Sequence, residues 1–501
     1  MKLGYLLEAL PDNDFYGDRE IEIKGIAYDS RNVREGYLFV AIKGHSQDGH
    51  AFLKDAVHKG AAAIIAEDLD GFQADISRAV VPDSRDALSR LSVRFYNDPC
   101  KYIELIGITG TNGKTTTTYL IESILSVSGA IPGVIGTINS RFKGDVRPSS
   151  VTTPESLDLM RLIREMTDGG VSHVIMEVSS HALDQRRTGV CPFTVGVFTN
   201  FTRDHLDYHH TMEEYFQAKS RLFRGLIKDR DGRKGVAVIN MDDPKGEVLR
   251  TISETDVITY GMDQRWDVRA TDVSTDTTGL KAVIITPKGK ISITSSLIGM
   301  INIYNILAAA AVAISLNIDL DNIAEGIREL KRIPGRLELV KNKRGLTVLV
   351  DYSHTPDALI KAQDTLKPLT KGRLITVFGC GGDRDKGKRP EMGIAAGERS
   401  DIVFITSDNP RSEEPESIIR QIEDGIKKTG SIRQEWTDFK GLKVPVYFIE
   451  PDRHKAIQKA ISIADEKDII LIAGKGHEDY QIVGKEKRFF DDRLEAATAA
   501  N

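Results

Sequence analysis

The stretch Ile103-Glu104-Leu105-Ile106-Gly107-Ile108-Thr109-Gly110-Thr111-Asn112-Gly113-Lys114-Thr115-Thr116 decides how the chain is read. Residues 103–109 are apolar and β-branched, the pattern of a buried strand. Residues 110–114 form a glycine-rich loop. Residues 115–128 then read as a helix with Leu120, Ile121, Ile124 and Leu125 on one face and Gly129 after it. A loop between a strand and a helix turns backbone N–H groups toward one point, and the helix N-terminus adds partial positive charge. Such a cradle suits phosphate oxygens. Lys114 would neutralise the terminal phosphates and the Thr115 hydroxyl would ligate magnesium. The usual spacing has a glycine five residues before the Gly-Lys pair. Here that residue is Ile108, so the loop is a shorter variant.

Outward from this loop the same grammar repeats. Residues 174–176, 194–198 and 236–240 are further buried-strand runs, which predicts a largely parallel sheet with helices between its strands. Glu177 ends one run, where a magnesium-binding carboxylate belongs. His205 follows another, in Asn200-Phe201-Thr202-Arg203-Asp204-His205-Leu206-Asp207, and is a candidate second ligand. Beyond Pro334-Gly335, short runs at 347–350, 374–378, 402–405, 446–449 and 469–472 predict a Rossmann-like sheet, in which ligands gather beyond the carboxyl ends of the strands. Polar motifs stand at those ends: Asp351-Tyr352-Ser353-His354, Gly381-Gly382-Asp383-Arg384, Asp408-Asn409-Pro410-Arg411 and Gly474-Lys475-Gly476-His477-Glu478. Before residue 98 a strand at 37–42, a helix at 52–59 and a strand at 61–66 read as a smaller α/β unit, and Asp98-Pro99 is a natural boundary. The expected fold is therefore α/β in three domains: 1–98, a central 99–333 with the phosphate loop and a parallel sheet, and a Rossmann-like 334–501.

Composition sets the outer limits. The chain has 501 residues, 40% hydrophobic and 28% charged, with a formal net charge of -5. It has enough apolar residues for real cores, and its mild charge gives no support to nucleic-acid binding by phosphate neutralisation. No signal-like N-terminus and no run of about 18 apolar residues occur, so a cytoplasmic protein without membrane insertion is expected. Cys100, Cys191 and Cys380 are widely spaced and read as buried small hydrophobes of a reducing compartment.

The segments 110–116, Glu177-Val178-Ser179-Ser180-His181, 200–207 and 351–356 together resemble the Mur ligases, and residues 408–411 resemble the branch of that family that adds diaminopimelate. The resemblance covers all three inferred domains. It implies an N-terminal domain for the UDP group, with Ser30 in Asp29-Ser30-Arg31 and His45 as contacts. It implies that Thr152, Thr153, Ser179, Gln185 and Arg187 hold the UDP-linked dipeptide. ATP would meet Gly110, Thr111, Asn112, Gly113, Lys114, Thr115 and Thr116, with Asn302 and Asn305 near the nucleotide and Arg336 and Asp351 completing its site. Lys219 aligns with the family's carbamylated lysine, although taken alone it reads as a helix-surface lysine. Thr115, Glu177, His205 and that carbamate would hold magnesium, with two sites expected, and Lys114, Glu177, His205 and Lys219 would form the catalytic set. Arg384, Asp408, Asn409, Pro410, Arg411, Gly474 and Glu478 match the pocket for meso-diaminopimelate.

The implied reaction joins meso-diaminopimelate to UDP-MurNAc-L-Ala-D-Glu at the cost of ATP, through an acyl-phosphate. A monomer is expected. A lysine-adding or folate-type ligase shares much of the logic, but an arginine fork such as Arg411 clamps a distal carboxylate that lysine lacks. A phosphate-loop ATPase switch explains residues 110–116 and leaves the strand-end motifs beyond residue 334 without a task.

Overall fold

Short apolar runs broken by turns build the first sheet. Strands β1 (Asp14–Tyr16), β2 (Gly25–Ala27), β3 (Tyr37–Val40), β4 (Ala61–Ala66) and β5 (Ser77–Val80) pair in the order β1-β5-β4-β3-β2. All neighbours are parallel except β1, which runs against β5. Both faces are covered, as a parallel sheet requires. Leu6, Leu38, Leu88 and Leu91 fill one side, and Phe39, Leu53 and Ile64 the other. The predicted helix over 52–59 is shorter, Leu53–His58, because residues 49–52 form a tighter 3-10 turn capped by Asp48.

The computed structural model describes residues 1–44, 47–227, 234–436 and 445–501. They divide into two compact units, Met1–Val268 with Ala308–Asn322, and Arg269–Leu307 with Ile323–Asn501. No helix among them is long and apolar enough to cross a membrane.

The first unit carries a second, larger set of strands: β6 (Glu104–Thr109), β7 (Pro132–Ile135), β8 (Asn139–Phe142), β9 (Asp145–Pro148), β10 (His173–Glu177), β11 (Val195–Phe198), β12 (Val236–Asn240) and β13 (Asp256–Gly261). Their order is β13-β12-β11-β6-β10-β7-β8-β9. From β13 to β7 every pair is parallel, and β7, β8 and β9 turn back on one another as antiparallel hairpins. The strand before the glycine loop, β6, lies between β10 and β11. The chain leaving β6, β10 and β11 therefore delivers Gly110, Val178 and Thr199 to one edge. Cys100 and Cys191 lie in the same core and their thiols meet; the hydrogen bond and burial push the Cys191 thiol upward.

In the second unit β14 (Val268–Asp276), β15 (Gly279–Thr286) and β16 (Gly289–Ser295) form an antiparallel meander. Residues along β16 alternate between buried and exposed, the mark of a sheet with one wet face. The Rossmann-like sheet comprises β17 (Glu338–Leu339), β18 (Thr347–Asp351), β19 (Leu374–Phe378), β20 (Ile402–Ile405), β21 (Ile432–Arg433), β22 (Val446–Ile449) and β23 (Ile469–Ala473), in the order β17-β18-β23-β19-β20-β22-β21. Only β17 is antiparallel. A separate hairpin of β24 (Tyr480–Val483) and β25 (Glu486–Phe489) follows. The five apolar runs expected in this region all form strands.

Candidate active site

The glycine loop leaves β6 and enters the helix Lys114–Val127 as the sequence predicts. Gly110 has φ 146° and lies so close to β11's exit that a Cβ would sit 1.9 Å from Thr199 Oγ1, so no larger residue fits. The Asn200 segment braces the loop. Thr111 N–H donates to Asn200 O at 2.8 Å. Asn112 N–H donates to Asn200 Oδ1 at 2.9 Å and the Asn200 amide returns a bond to Asn112 O at 3.1 Å. Lys114 Nζ folds back onto Gly110 O and Thr111 O at 2.8 and 2.9 Å.

Glu177 is 2% exposed, so this strand-end carboxylate is enclosed rather than solvated. It accepts from Thr115 Oγ1 at 3.1 Å, Thr137 Oγ1 at 2.9 Å and Thr137 N–H at 3.0 Å. It thus ties the helix after the glycine loop to the turn after β7. Gly136 leaves it room, since a Cβ there would stand 2.5 Å from Glu177 Oε1.

Lys219 corrects the reading of a helix-surface lysine. It is 1% exposed, on the inner face of the helix Met212–Arg224 with Tyr215, Phe216, Leu222 and Phe223. Its Nζ donates to Gly110 O at 2.9 Å, the same carbonyl that Lys114 uses, and lies 4.6 Å from the centre of the Tyr215 ring. Burial, and then the neighbouring Lys114 charge, push its pKa well below the usual lysine value. The signal was in the sequence: Lys219 stands four residues after Tyr215 and four before Phe223, on the apolar stripe.

His205 caps the short helix Leu206–His209 with φ 54°. Its ring lies 4.9 Å from that of His181 and 5.8 Å from that of Tyr215. Burial lowers its pKa to about 4 against the opposing pull of Asp204; His181, Lys114 and Lys219 lower it further. The imidazole is therefore neutral near pH 7, the form in which it can bind a metal. Tyr215 OH also meets Thr111 Oγ1 at 3.2 Å, so one tyrosine contacts the loop, Lys219 and His205. Among the described residues no three His, Cys, Asp or Glu side chains are gathered as a ready metal cage. Thr115 and Glu177 offer the oxygen donors that suit a hard cation, His205 adds a neutral nitrogen, and Lys219 would join them only as an anion.

The residues assigned to the dipeptide form one network. Thr153 Oγ1 donates to Glu177 O at 2.9 Å and accepts from Ser179 N–H at 3.1 Å. Thr152 Oγ1 meets Thr137 Oγ1 at 3.1 Å. Arg187 donates to Gln185 Oε1 at 2.7 Å and to Thr153 O at 2.9 Å. Glu155, unremarked in the sequence, pairs with Arg85 at 3.0 Å and stands 3.6 Å from Arg187. Ser30 is buried elsewhere, its carbonyl accepting from Lys59 Nζ at 3.1 Å. His45 lies outside the described residues.

In the second unit Asn302 and Asn305 are buried one turn apart. Asn305 donates to Asn302 Oδ1 at 2.9 Å, and Asn302 to Ile298 O at 2.8 Å. Asp351 ends β18, where it accepts from Leu337 N–H at 2.8 Å and Ser353 N–H at 2.9 Å. The Arg336 guanidinium lies 5.1 Å from the Tyr352 ring, against which His354 and His477 also pack at 4.6 and 4.8 Å.

The carboxyl ends of β19, β20 and β23 bring the last motif together. Arg411 has φ 52°, and its side chain donates to Gly382 O at 2.8 Å. The hairpin β24–β25 holds its backbone: Arg411 N–H donates to Ile482 O at 3.1 Å and Gly484 N–H to Arg411 O at 2.8 Å. Gln481 reaches Asp408 O at 2.7 Å, and Ile482 N–H reaches Asn409 Oδ1 at 2.9 Å. Asn409 donates to Glu478 Oε2 at 2.9 Å. Pro410 O lies so close to Gly382 that a Cβ there would sit 1.8 Å away, and a Cβ on Gly474 would meet Asp408 Oδ2 at 2.7 Å. Arg384 stands on the adjoining loop and donates to Asp383 O at 2.9 Å. Behind that loop Arg389, 0% exposed, pairs with Glu413 at 2.8 Å. That bond, with the Asp383 N–H, holds the Glu413 carboxyl down at about 2. Neither Arg389 nor Glu413 was marked by a local pattern.

Three family models cover most of the chain: the Mur ligase family catalytic domain over residues 22–96, the Mur ligase middle domain over 108–313 and the Mur ligase glutamate ligase domain over 335–476. The chain belongs to the Mur ligase family. Within it, the chain is 46% identical over 502 residues to the UDP-N-acetylmuramoyl-L-alanyl-D-glutamate–2,6-diaminopimelate ligase of Geobacter metallireducens, covering 100% of this chain and 98% of that one. It is 48% identical over 502 residues to the ligase of the same name from Geobacter sulfurreducens, with the same coverage. A solved structure bearing that ligase name matches with TM-score 0.70 and 32% identity over 100% of this chain and 99% of that one.

Proposed function

We propose that this chain catalyses the ATP-dependent joining of meso-diaminopimelate to the D-glutamyl γ-carboxylate of UDP-MurNAc-L-Ala-D-Glu, a step of peptidoglycan precursor synthesis. The observation that carries this reading is Arg411, held by the hairpin beside Gly382 at the strand ends, in a chain that matches diaminopimelate ligases end to end. An arginine fork can bind the distal carboxylate of diaminopimelate through two hydrogen bonds.

The site residues follow from this. Backbone groups of residues 110–116 cradle the ATP phosphates, and Lys114 leaves its two carbonyls to meet the terminal phosphate. Asn302, Asn305, Arg336 and Asp351 complete the nucleotide contacts. Ser30 contacts the UDP group, and Thr152, Thr153, Ser179, Gln185 and Arg187 orient the dipeptide. Its γ-carboxylate attacks the γ-phosphorus, ADP leaves, and an acyl-phosphate forms. The neutral amine of diaminopimelate then attacks the acyl carbon, phosphate departs, and the amine proton passes to solvent or a nearby base. No protein nucleophile is required.

Lys219 is set up for carbamylation. Its low pKa supplies the neutral amine that adds to carbon dioxide, giving a carbamate and a proton. Thr115, Glu177, His205 and this carbamate would hold magnesium. Bound there, magnesium offsets the repulsion between the two anions that must meet. The enzyme is read as a cytoplasmic monomer with domains 1–98, 99–333 and 334–501.

The test is amino-acid-dependent phosphate release from ATP, magnesium and UDP-MurNAc-L-Ala-D-Glu. Release with meso-diaminopimelate and not with L-lysine is expected. Release with lysine instead would overturn the pocket, and release independent of any amino acid would overturn the ligase reading.

A further inference from the structure

Lys475 is 0% exposed and has no place in the site described above. It follows β23 in the segment that also supplies Gly474 and Glu478. Its Nζ donates to Asn409 Oδ1 at 3.2 Å and to Glu478 Oε2 at 3.3 Å, and lies 3.7 Å from Asp408 Oδ1. The Tyr480 ring closes the remaining side, with its centre 5.4 Å away. One ammonium is thus enclosed by two carboxylates and an amide oxygen that all belong to the amino-acid pocket.

Two consequences follow. The first is geometric. Asn409 Nδ2 and Lys475 Nζ both reach Glu478 Oε2, while Asn409 Oδ1 takes bonds from Lys475 and from Ile482 N–H. This fixes the amide orientation of Asn409 and the carboxylate of Glu478 in one arrangement before any ligand arrives. The second is electrostatic. Asp408, Glu478 and Lys475 sum to one net negative charge, with Arg411 and Arg384 on the loops beside them. A ligand head carrying both an ammonium and a carboxylate complements this arrangement; a head with only one of them does not.

We propose that Lys475 is a positioning residue that sets specificity for the zwitterionic distal head of the incoming amino acid, acting through Glu478 and Asn409. This rests on the diaminopimelate reading. Without Lys475 two carboxylates face each other with no cation between them, and Glu478 loses its orientation. Lys475 touches no reacting atom, so its loss acts on capture of the amino acid rather than on the chemistry.

The test compares wild type, Lys475→Met, Glu478→Gln and the double variant, with KM measured separately for meso-diaminopimelate, ATP and the UDP-linked dipeptide. Wild type must first use diaminopimelate; its failure there would refute the functional reading and not this one. Lys475→Met is expected to raise the diaminopimelate KM on the order of 30-fold, to change kcat only a few-fold and to leave the other two KM values alone. In the Glu478→Gln background the same substitution should add only a few-fold more, because the charged group it acts through is gone and only its bond to Asn409 remains to be lost. Equal effects in both backgrounds, or parallel rises in all three KM values, would mark Lys475 as a general structural support and overturn the proposal. Should Lys475→Met not fold, Lys475→Gln keeps a hydrogen-bond donor without the charge. It is then assayed with 2-aminopimelate, which keeps both carboxylates but lacks one amine. The preference for diaminopimelate over this analogue should shrink about 10-fold; an unchanged preference overturns the proposal.

Discussion

Lys219 and Lys475 are both enclosed, yet their surroundings are opposite in kind. Lys219 meets a carbonyl, a tyrosine face and the charge of Lys114; among the described residues no carboxylate is in hydrogen-bond reach of it, and Asp204 opposes the shift only at longer range. Lys475 meets two carboxylates and an amide. The first environment favours the neutral amine, which is a nucleophile; the second has the partners an enclosed ammonium requires. Burial alone therefore says little about what a lysine does. The charge of its neighbours decides whether it becomes chemistry or scaffolding.

The largest effect that would break this contrast is at Lys219. Lys219→Ala should lower kcat on the order of 10³-fold, with part of the activity restored by formate or acetate, small acids that can occupy the vacated space as anions. Activity near wild type, or a loss indifferent to added acids, would overturn the proposed carbamate. The same acids should do nothing for Lys475→Met, where a cation is missing, and rescue there would dissolve the distinction between the two sites.

Arg411→Ala tests the positive side of the pocket. The diaminopimelate KM should rise on the order of 100-fold, as expected for leaving a bound carboxylate without its arginine. Unaltered diaminopimelate kinetics would mean that the Arg411 fork points at no substrate group. The smallest effect concerns Glu413, whose charge is paired with the enclosed Arg389. Its folded-state pKa of about 2 lies below the ordinary 4.5, so its contribution to stability is complete above pH 4.5 and fades as the pH falls toward 2. Glu413→Gln should lower Tm by about 2 °C near neutral pH. The variant and wild type should converge in acid, and a constant gap down to pH 2 would argue against the pairing.

Much of the fold was legible because strands buried on both faces need unbroken apolar runs. The segments at 374–378, 402–405 and 446–449 reappear as β19, β20 and β22 with the same bounds. The meander β14–β16 was not read, although its alternation of Lys290, Ile291, Ser292, Ile293 and Thr294 signals a half-wet strand. The glycine loop announced itself because its contacts are local. Lys219 did not, because its partner Gly110 is far away in sequence and a lone lysine carries no mark of enclosure. Its position on the apolar stripe was the available clue. Glu155 and Arg85 offered none, since their pairing exists only once the two sheets of the first unit are folded.

The hairpin β24–β25 has a further implication for any attempt to move the proposed selectivity elsewhere. Arg411 adopts its left-handed backbone with both its N–H and its carbonyl engaged by a segment some seventy residues downstream in the chain. Residues 408–411 are thus one half of a lock whose other half is residues 480–484. Transplanting the four-residue motif into a homologous scaffold would carry the guanidinium but not its aim. A transplant must therefore carry both segments, because the backbone of Arg411 keeps its conformation only with the hairpin in place.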